Sequence, residues 1–172
     1  KVIGRKYSNE EGISALRNPV KLDIPITINN IIGFPNETHD LAMDTVRINR
    51  EIDSFTRSCS TFAPYQGTDL RKLAEEKGYI SGDEITPTNS EWSILDMPQF
   101  TKEEIYGLQR TFVMYVKYPK SRWPEIQKAE VLNSEGNKRW ADLRDEFTET
   151  YFQGDEFRIE KVNLDGKLNE AE

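Results

Sequence analysis

Asn29-Asn30-Ile31-Ile32-Gly33-Phe34-Pro35-Asn36-Glu37-Thr38 joins a β-rich run to a helix, and the reading of this turn decides the fold. Upstream, residues Asp23 to Ile32 read DIPITINNII, whose Ile and Thr content predicts a strand despite Pro25. Gly33-Phe34-Pro35-Asn36 breaks that strand. Glu37-Thr38-His39-Asp40 then opens a helix predicted to reach about Ile52, with Leu41, Val46 and Ile48 as buried candidates. A second strand is predicted from Ser54 to Phe62, ending in the turn Ala63-Pro64-Tyr65-Gln66-Gly67. Thr68 or Asp69 caps the next helix, which carries Leu70, Leu73 and Ala74 and stops at Gly78, a natural C′ glycine. Ahead of the first strand, Ser8-Asn9-Glu10-Glu11 reads as a capping box. Its helix should run from about Asn9 to Leu16 or a little beyond, ending before Pro19 or kinking there. Helix–strand–helix–strand–helix with short loops is the order of parallel-sheet units, not of a meander.

After Tyr79 the pattern changes. Residues 81 to 100 are polar and broken by Pro87 and Pro98, with Trp92, Ile94 and Leu95 as expected anchors. Thr101 caps a helix to about Tyr118, on which Ile105, Leu108, Phe112, Tyr115 and Val116 form a stripe of helical period. Pro119 stops it. Two further helices are predicted over 122–132 and 134–152, with Trp123, Ile126, Trp140, Leu143 and Phe147 facing inward, before a polar tail beyond Gly154.

Composition narrows the functional classes. The chain has 172 residues, 36% of them apolar and 31% charged, which suits one domain or a piece of a larger one. A net charge of −7 argues against a broad nucleic-acid surface, which draws on clustered Lys and Arg. No apolar run approaches the roughly 18 residues of a membrane span. No signal-like segment follows Lys1, and a reducing, cytoplasmic setting fits the single cysteine, Cys59. With one cysteine and one histidine, His39, a self-contained metal centre is not expected.

In barrels of strand–helix units, ligands sit where such loops leave the C-terminal ends of the strands. Asn29 and Asn30 point to opposite faces, so only one can look into a barrel; the residues alone leave open which. An inward amide could bond a ribose hydroxyl, Ile31 or Ile32 could offer apolar surface to a base, and Gly33 permits close backbone approach. An ordinary strand end with an Asn-rich turn is the competing reading.

Ile-Ile-Gly-Phe-Pro-Asn-Glu-Thr at 31–38 resembles the fifth-strand motif of radical S-adenosylmethionine (SAM) enzymes, I-G-x-P-G-E-T. Gly33, Pro35, Glu37 and Thr38 match it, while Asn36 replaces a glycine, a mild departure because Asn tolerates the left-handed conformation. Val2 to Glu11 resembles the entry to the fourth barrel helix, and Phe62 to Thr68 the P-Y-x-G-T loop after the sixth strand. Met97-Pro98-Gln99-Phe100-Thr101 through Phe112, extended by Tyr115 to Lys120 and Ile126 to Glu130, resembles the region after the barrel in members that carry a cobalamin-binding domain. The joint order of these motifs, covering about residues 1 to 132, is far more specific than any one of them.

The resemblance implies an α/β fold: the C-terminal units of a partial (β/α) TIM-like barrel over residues 1–80, then a mainly helical extension over 81–172. It implies a chain that positions SAM through Arg5, Asn29 or Asn30, Ile31, Gly33 and Ala63, with Arg5 on the SAM carboxylate. In such enzymes a 4Fe-4S cluster reduces SAM, and the 5′-deoxyadenosyl radical released takes hydrogen from a small-molecule substrate. Cobalamin is the further cofactor of the linked type, which includes methyltransferases and a tetrapyrrole cyclase. The C-x-x-x-C-x-x-C loop that holds the cluster has no counterpart here. The expected partner is therefore an N-terminal half of the same polypeptide, with no metal held and no cofactor bound by this chain alone. Cys59 reads as a small buried hydrophobe and His39 as an exposed, non-catalytic residue. The alternative is a non-catalytic module that docks a partner through its aromatic helices.

Overall fold

The computed structural model describes residues 6–22, 24–52, 54, 56–86 and 92–151. Helix α1 (Asn9–Lys21) leads to strand β1 (Thr27–Ile32), helix α2 (His39–Arg50), strand β2 (Thr56–Thr61) and helix α3 (Asp69–Glu76). An irregular stretch then reaches α4 (Lys102–Lys117), a 3-10 turn (Lys120–Arg122), α5 (Trp123–Glu130) and α6 (Ser134–Tyr151).

The two strands are parallel, in register from Thr27 with Thr56 to Ile32 with Thr61. Parallel neighbours need a crossover between them, and α2 supplies it. β1 starts at Thr27, four residues later than expected; Pro25 has no N–H to give to a ladder. The Thr38 hydroxyl accepts from the Leu41 N–H and caps α2. Leu41, expected to be buried, is 52% exposed. The stripe that faces inward is Ala42, Met43, Val46 and Asn49, and at helical spacing it turns Leu41 outward.

α1 continues through Pro19 instead of ending before it. The proline lies in the last turns, where few bonds depend on it, and its carbonyl accepts the Leu22 and Ile24 N–H groups at 3.0 Å each. α3 is capped by Thr68, and Gly78 follows its end with φ +70°.

α4 is the centre of the core. Thr101 and Glu104 close a full capping box at its start, and Ile105, Leu108, Phe112, Tyr115 and Val116 are all buried, as their spacing predicts. It packs on α2, on β2 and on α5. α4 and α5 approach so closely at Gly107 that a Cβ there would lie 2.3 Å from the Glu130 carbonyl oxygen. Arg50, at the end of α2, donates to the carbonyls of Tyr115, Val116 and Tyr118 at 2.6–2.8 Å, closing the C-terminus of α4. Leu95 is buried as expected, but Trp92 is 47% exposed, stacked on Tyr106 with ring centroids 4.4 Å apart.

The chain divides into two compact units, residues 1–140 and 141–172, so that α4 and α5 belong with the strand–helix–strand unit. In the second unit, described to Tyr151, Leu143 and Phe147 are buried and Thr148 bonds back to the Arg144 carbonyl. The polar tail beyond Gly154 lies outside the described residues. No helix among the described residues is long and apolar enough to cross a membrane.

Candidate functional site

In-register residues of parallel strands share a face, so the sheet has two distinct sides. One carries Asn30 and Ile32 beside Cys59 and Thr61. Helices α2 and α4 lie against it: Asn49 bonds Asn30, and Gln109 Nε2 donates to the Cys59 carbonyl at 3.3 Å. The other carries Thr27, Asn29 and Ile31 beside Ser58 and Ser60. That side is largely open, with Ile31 47% exposed.

Asn29 and Asn30 therefore differ in kind. Asn30 is buried and exchanges amide bonds with Asn49, its Oδ1 accepting at 2.7 Å and its Nδ2 donating at 3.2 Å. Nδ2 also donates to the Ser58 carbonyl at 3.0 Å, so both ends of the amide serve the fold. Asn29 stands on the open face, where its Oδ1 accepts from Ser58 Oγ at 2.7 Å.

The turn after β1 is built around one carboxylate. Glu37 Oε2 accepts from the N–H groups of Gly33 and Phe34, and the Glu37 N–H donates back to the Phe34 carbonyl at 2.9 Å. Burial pushes the Glu37 carboxyl up, and the two backbone N–H groups partly offset that. Gly33 adopts φ +85°, and a Cβ there would press on Ile105 at 3.2 Å. Asn36 adopts φ 69°, the left-handed conformation that glycine favours and asparagine tolerates.

An open groove of about 810 Å³ runs along β1, between residues of α1 and α2. Asn29, Asn30 and Ile31 line it, with Ile13 and Leu16 of α1 and with Phe34. Ala63 lies off this groove, but its loop leaves the same end of the sheet as the Gly33 turn, because the Phe62 N–H still bonds the Ile32 carbonyl at 2.8 Å. Arg5 lies outside the described residues.

Arg71 sets the shape of the Ala63 loop. Its guanidinium is almost fully buried and donates to the carbonyls of Pro64, Gly82 and Glu84 at 2.9–3.0 Å, to Thr86 Oγ1 and to Glu75. A sequence reading that treats Arg as surface misses this residue. Ser58, Phe34 and Arg71 were not among the expected site residues; the alternation of β2 opposite β1 was the available signal for Ser58.

Cys59, expected to be a small buried residue, is only partly buried. Burial first, then the nearby Glu37 charge, pushes its thiol up to about 12, so at neutral pH it is neither nucleophile nor ready metal ligand. Among the described residues no three His, Cys, Asp or Glu side chains converge as a metal site. With one cysteine in the sequence, this donor set does not fit a cysteine-held iron–sulfur cluster. The donor set along the open face of β1 is of the kind an adenosyl group takes: an amide at Asn29 and an exposed Ile31 on the strand, then the Gly33 turn.

His39 is not exposed as expected. It is half-buried, edge-on to Phe100, with Nε2 2.9 Å from Glu130 Oε2; the other oxygen of Glu130 accepts from the Tyr115 hydroxyl. The bond to Glu130 raises the His39 pKa, burial opposes this, and the charges of Glu130, Asp40 and Glu104 add to the rise. A folded-state pKa above the unfolded one means that the contribution is full below about pH 6.5 and fades as pH climbs through the raised value. We expect stability to fall as pH rises from about 6.5 through that raised value, and His39→Gln to flatten that slope. Urea midpoints of both proteins followed across that rise in pH check this; parallel slopes would refute it.

Set beside known proteins, the chain is similar to radical SAM enzymes. No family model matches it, and no solved structure does. Among curated proteins it is 34% identical over 76 residues to the tRNA-2-methylthio-N(6)-dimethylallyladenosine synthase of Geobacillus thermodenitrificans, a match covering 42% of this chain and 14% of that protein. The synthase of the same name from Geobacillus kaustophilus is 35% identical over 78 residues, and that from Bacillus mycoides 33% over 78. These matches cover 44% of this chain and 14% and 15% of those proteins. Such synthases are radical SAM enzymes, which supports that relationship; they lend no support to the cobalamin-linked type.

Proposed function

We propose that this chain is the C-terminal part of a cytoplasmic radical SAM enzyme and supplies the surface that positions SAM. In this reading β1–α2–β2 is the end of an incomplete barrel, and the cluster is held by cysteines of an upstream half of the same polypeptide. One observation carries it: the open face of β1 places Asn29 and Ile31 just ahead of the Gly33 turn, at the end of a parallel pair where ligands bind. Asn29 holds an oxygen of the ribose, Ile31 and Phe34 cover the apolar face of the base, and Gly33 lets the backbone come close. Arg5 takes the carboxylate, and Ala63 approaches the adenine from the neighbouring strand end. SAM, when bound, supplies the radical chemistry; the side chains on this face orient it and keep water away.

Two readings of the reaction remain, each with its own support. The resemblance of Met97 to Glu130 to the region after the barrel in cobalamin-linked members favours a methyltransferase- or cyclase-like enzyme acting on a small molecule. The name of the curated relatives favours attachment of a methylthio group to a tRNA nucleoside. Cobalamin co-purifying with the whole protein supports the first; a methylthiolated nucleoside in tRNA treated with it supports the second.

Isothermal titration of SAM into the chain joined to its upstream half tests the proposal. We expect saturable binding, weakened about tenfold by Asn29→Ala, the loss of one well-placed hydrogen bond. A docking module would show no heat of binding at all.

A further inference from the structure

Strand β1 is paired on one side only. Among the described residues the sheet has two strands, so β1 keeps an outer edge with no neighbour. In a parallel ladder the N–H and C=O of one residue point to the same side, and those of the next residue to the other. The Ile32 carbonyl accepts from the Phe62 N–H, so Ile28, Asn30 and Ile32 serve β2. The backbone groups of Asn29 and Ile31 therefore face the outer edge. Such a row of donors and acceptors is a template for another strand.

The groove along β1 lies at this edge. Ile28, Asn29, Asn30 and Ile31, four consecutive residues, all line it. A face of the strand would supply every second residue; an edge supplies them all. Ile13 and Leu16 of α1 and Thr45 and Ile48 of α2 form its walls. A strand in a packed sheet fills about 160 Å³ per residue, from about 3.3 Å of rise, about 4.8 Å of spacing and about 10 Å of depth. At that rate the groove of about 810 Å³ takes roughly five residues of strand.

Helix α1 lacks what α2 has. The 12 residues of α2, about 18 Å long, carry the chain back along strands of about 20 Å, from the end of β1 to the start of β2. The 13 residues of α1, about 20 Å long, likewise lead into a strand, but no described strand precedes them. Among the described side chains of α1 none is buried, although Ile13 and Leu16 give it an apolar side toward the groove. A helix with an apolar stripe and little beneath it is missing a packing partner.

We infer that the outer edge of β1 is the docking site of a third parallel strand, about five residues long, from the part of the polypeptide upstream of α1. Asn29 and Ile31 pair with its backbone, its apolar side chains meet Leu16 and Ile48, and α1 becomes the right-handed crossover that joins it to β1. The inference rests on the reading of this chain as the later part of a longer polypeptide, and it states where and how the upstream half attaches. Edge and face are separate surfaces of β1. The strand takes the backbone edge and leaves the side chains of Asn29 and Ile31 to SAM.

Amide hydrogen exchange of the whole polypeptide, read residue by residue by NMR, tests this without any substitution. In the absence of SAM, we expect the N–H groups of Asn29 and Ile31 to exchange as slowly as those of Asn30 and Ile32, within about tenfold. Both should also show cross-strand contacts to protons of a residue upstream of α1, unchanged on dilution. Exchange of Asn29 and Ile31 at the rate of unstructured chain, beside a protected Asn30 and Ile32, overturns the inference whatever a SAM titration shows. Protection that appears only with SAM gives the edge to the ligand, and protection lost on dilution gives it to a second copy of the chain; either result overturns the inference. A protected edge in a protein that binds no SAM upholds the third strand and sinks the SAM reading alone.

Discussion

Replacing Gly107 by alanine is expected to destabilise the protein by about 2–3 kcal/mol, as overpacking against an unyielding neighbour does. The same exchange in an exposed helix gains roughly 0.5–1 kcal/mol, because glycine is the costlier residue in a helix. The sign reverses here because the added Cβ would lie 2.3 Å from the Glu130 carbonyl oxygen and 3.1 Å from its carbon. Both are backbone atoms at the end of α5, so relief requires α5 to move away from α4, carrying Ile126 and Ala129 out of the core. It would also displace Glu130 from His39 and Tyr115. Gly12 on α1 is the internal control: its Cβ would meet only the Tyr7 ring, at 3.5 Å, so Gly12→Ala should be neutral or mildly stabilising. Urea denaturation of the two variants beside the parent protein checks both signs. A neutral Gly107→Ala would show that α4 and α5 do not pack at this distance.

Replacing Arg71 by methionine is expected to cost about 3–4 kcal/mol. Methionine matches the arginine in reach and fills most of its volume, so cavity formation is a minor part of the loss. What disappears is the donor set serving Pro64, Gly82, Glu84, Thr86 and Glu75. A buried acceptor left without a donor costs about 1–3 kcal/mol, and several lose theirs together, although the exposed 82–85 carbonyls can recover water. Lysine in place of Arg71 should recover only part, since one ammonium cannot span the same fork of acceptors. Protease cleavage within 82–86 should rise in step with the loss in the denaturation midpoint. If the midpoint holds and cleavage does not change, the loop is fastened by something else.

Much of the architecture is legible because it rests on local chemistry. Thr101 caps the helix that the sequence assigns it, Thr68 is the one of two candidate caps that the structure uses, and the α4 stripe from Ile105 to Val116 has a period that only a helix satisfies. The turn chemistry is equally local: Gly33 and Asn36 both take positive φ, within a stretch whose composition demands it. What escapes is set by contacts between distant residues. His39 sits in a polar first turn that looks solvated, and the partner ninety-one residues on, Glu130, together with the Phe100 ring, leaves it half-buried. Arg71 has the composition of a surface helix around it, and its burial depends on a loop of low sequence regularity folding back over it. Leu41 and Trp92 are large apolar residues that composition assigns to the core, yet both are exposed at about half their surface.

The strand face is an intermediate case. Alternation states that Asn29 and Asn30 must point apart, but the choice between them needs Asn49 on α2 to take Asn30. Once that bond is given, Asn29 and Ser58 fall on the other side together, and the candidate surface follows from the register.

The most direct measurement is a crystal structure of the intact polypeptide, upstream half included, with SAM bound. Our account predicts the adenosyl group along β1, a ribose oxygen within hydrogen-bonding distance of the Asn29 side-chain amide and the base against Ile31, next to the turn at Gly33. Finding SAM elsewhere, or finding Asn29 and Ile31 covered by packed protein with no ligand, would contradict it.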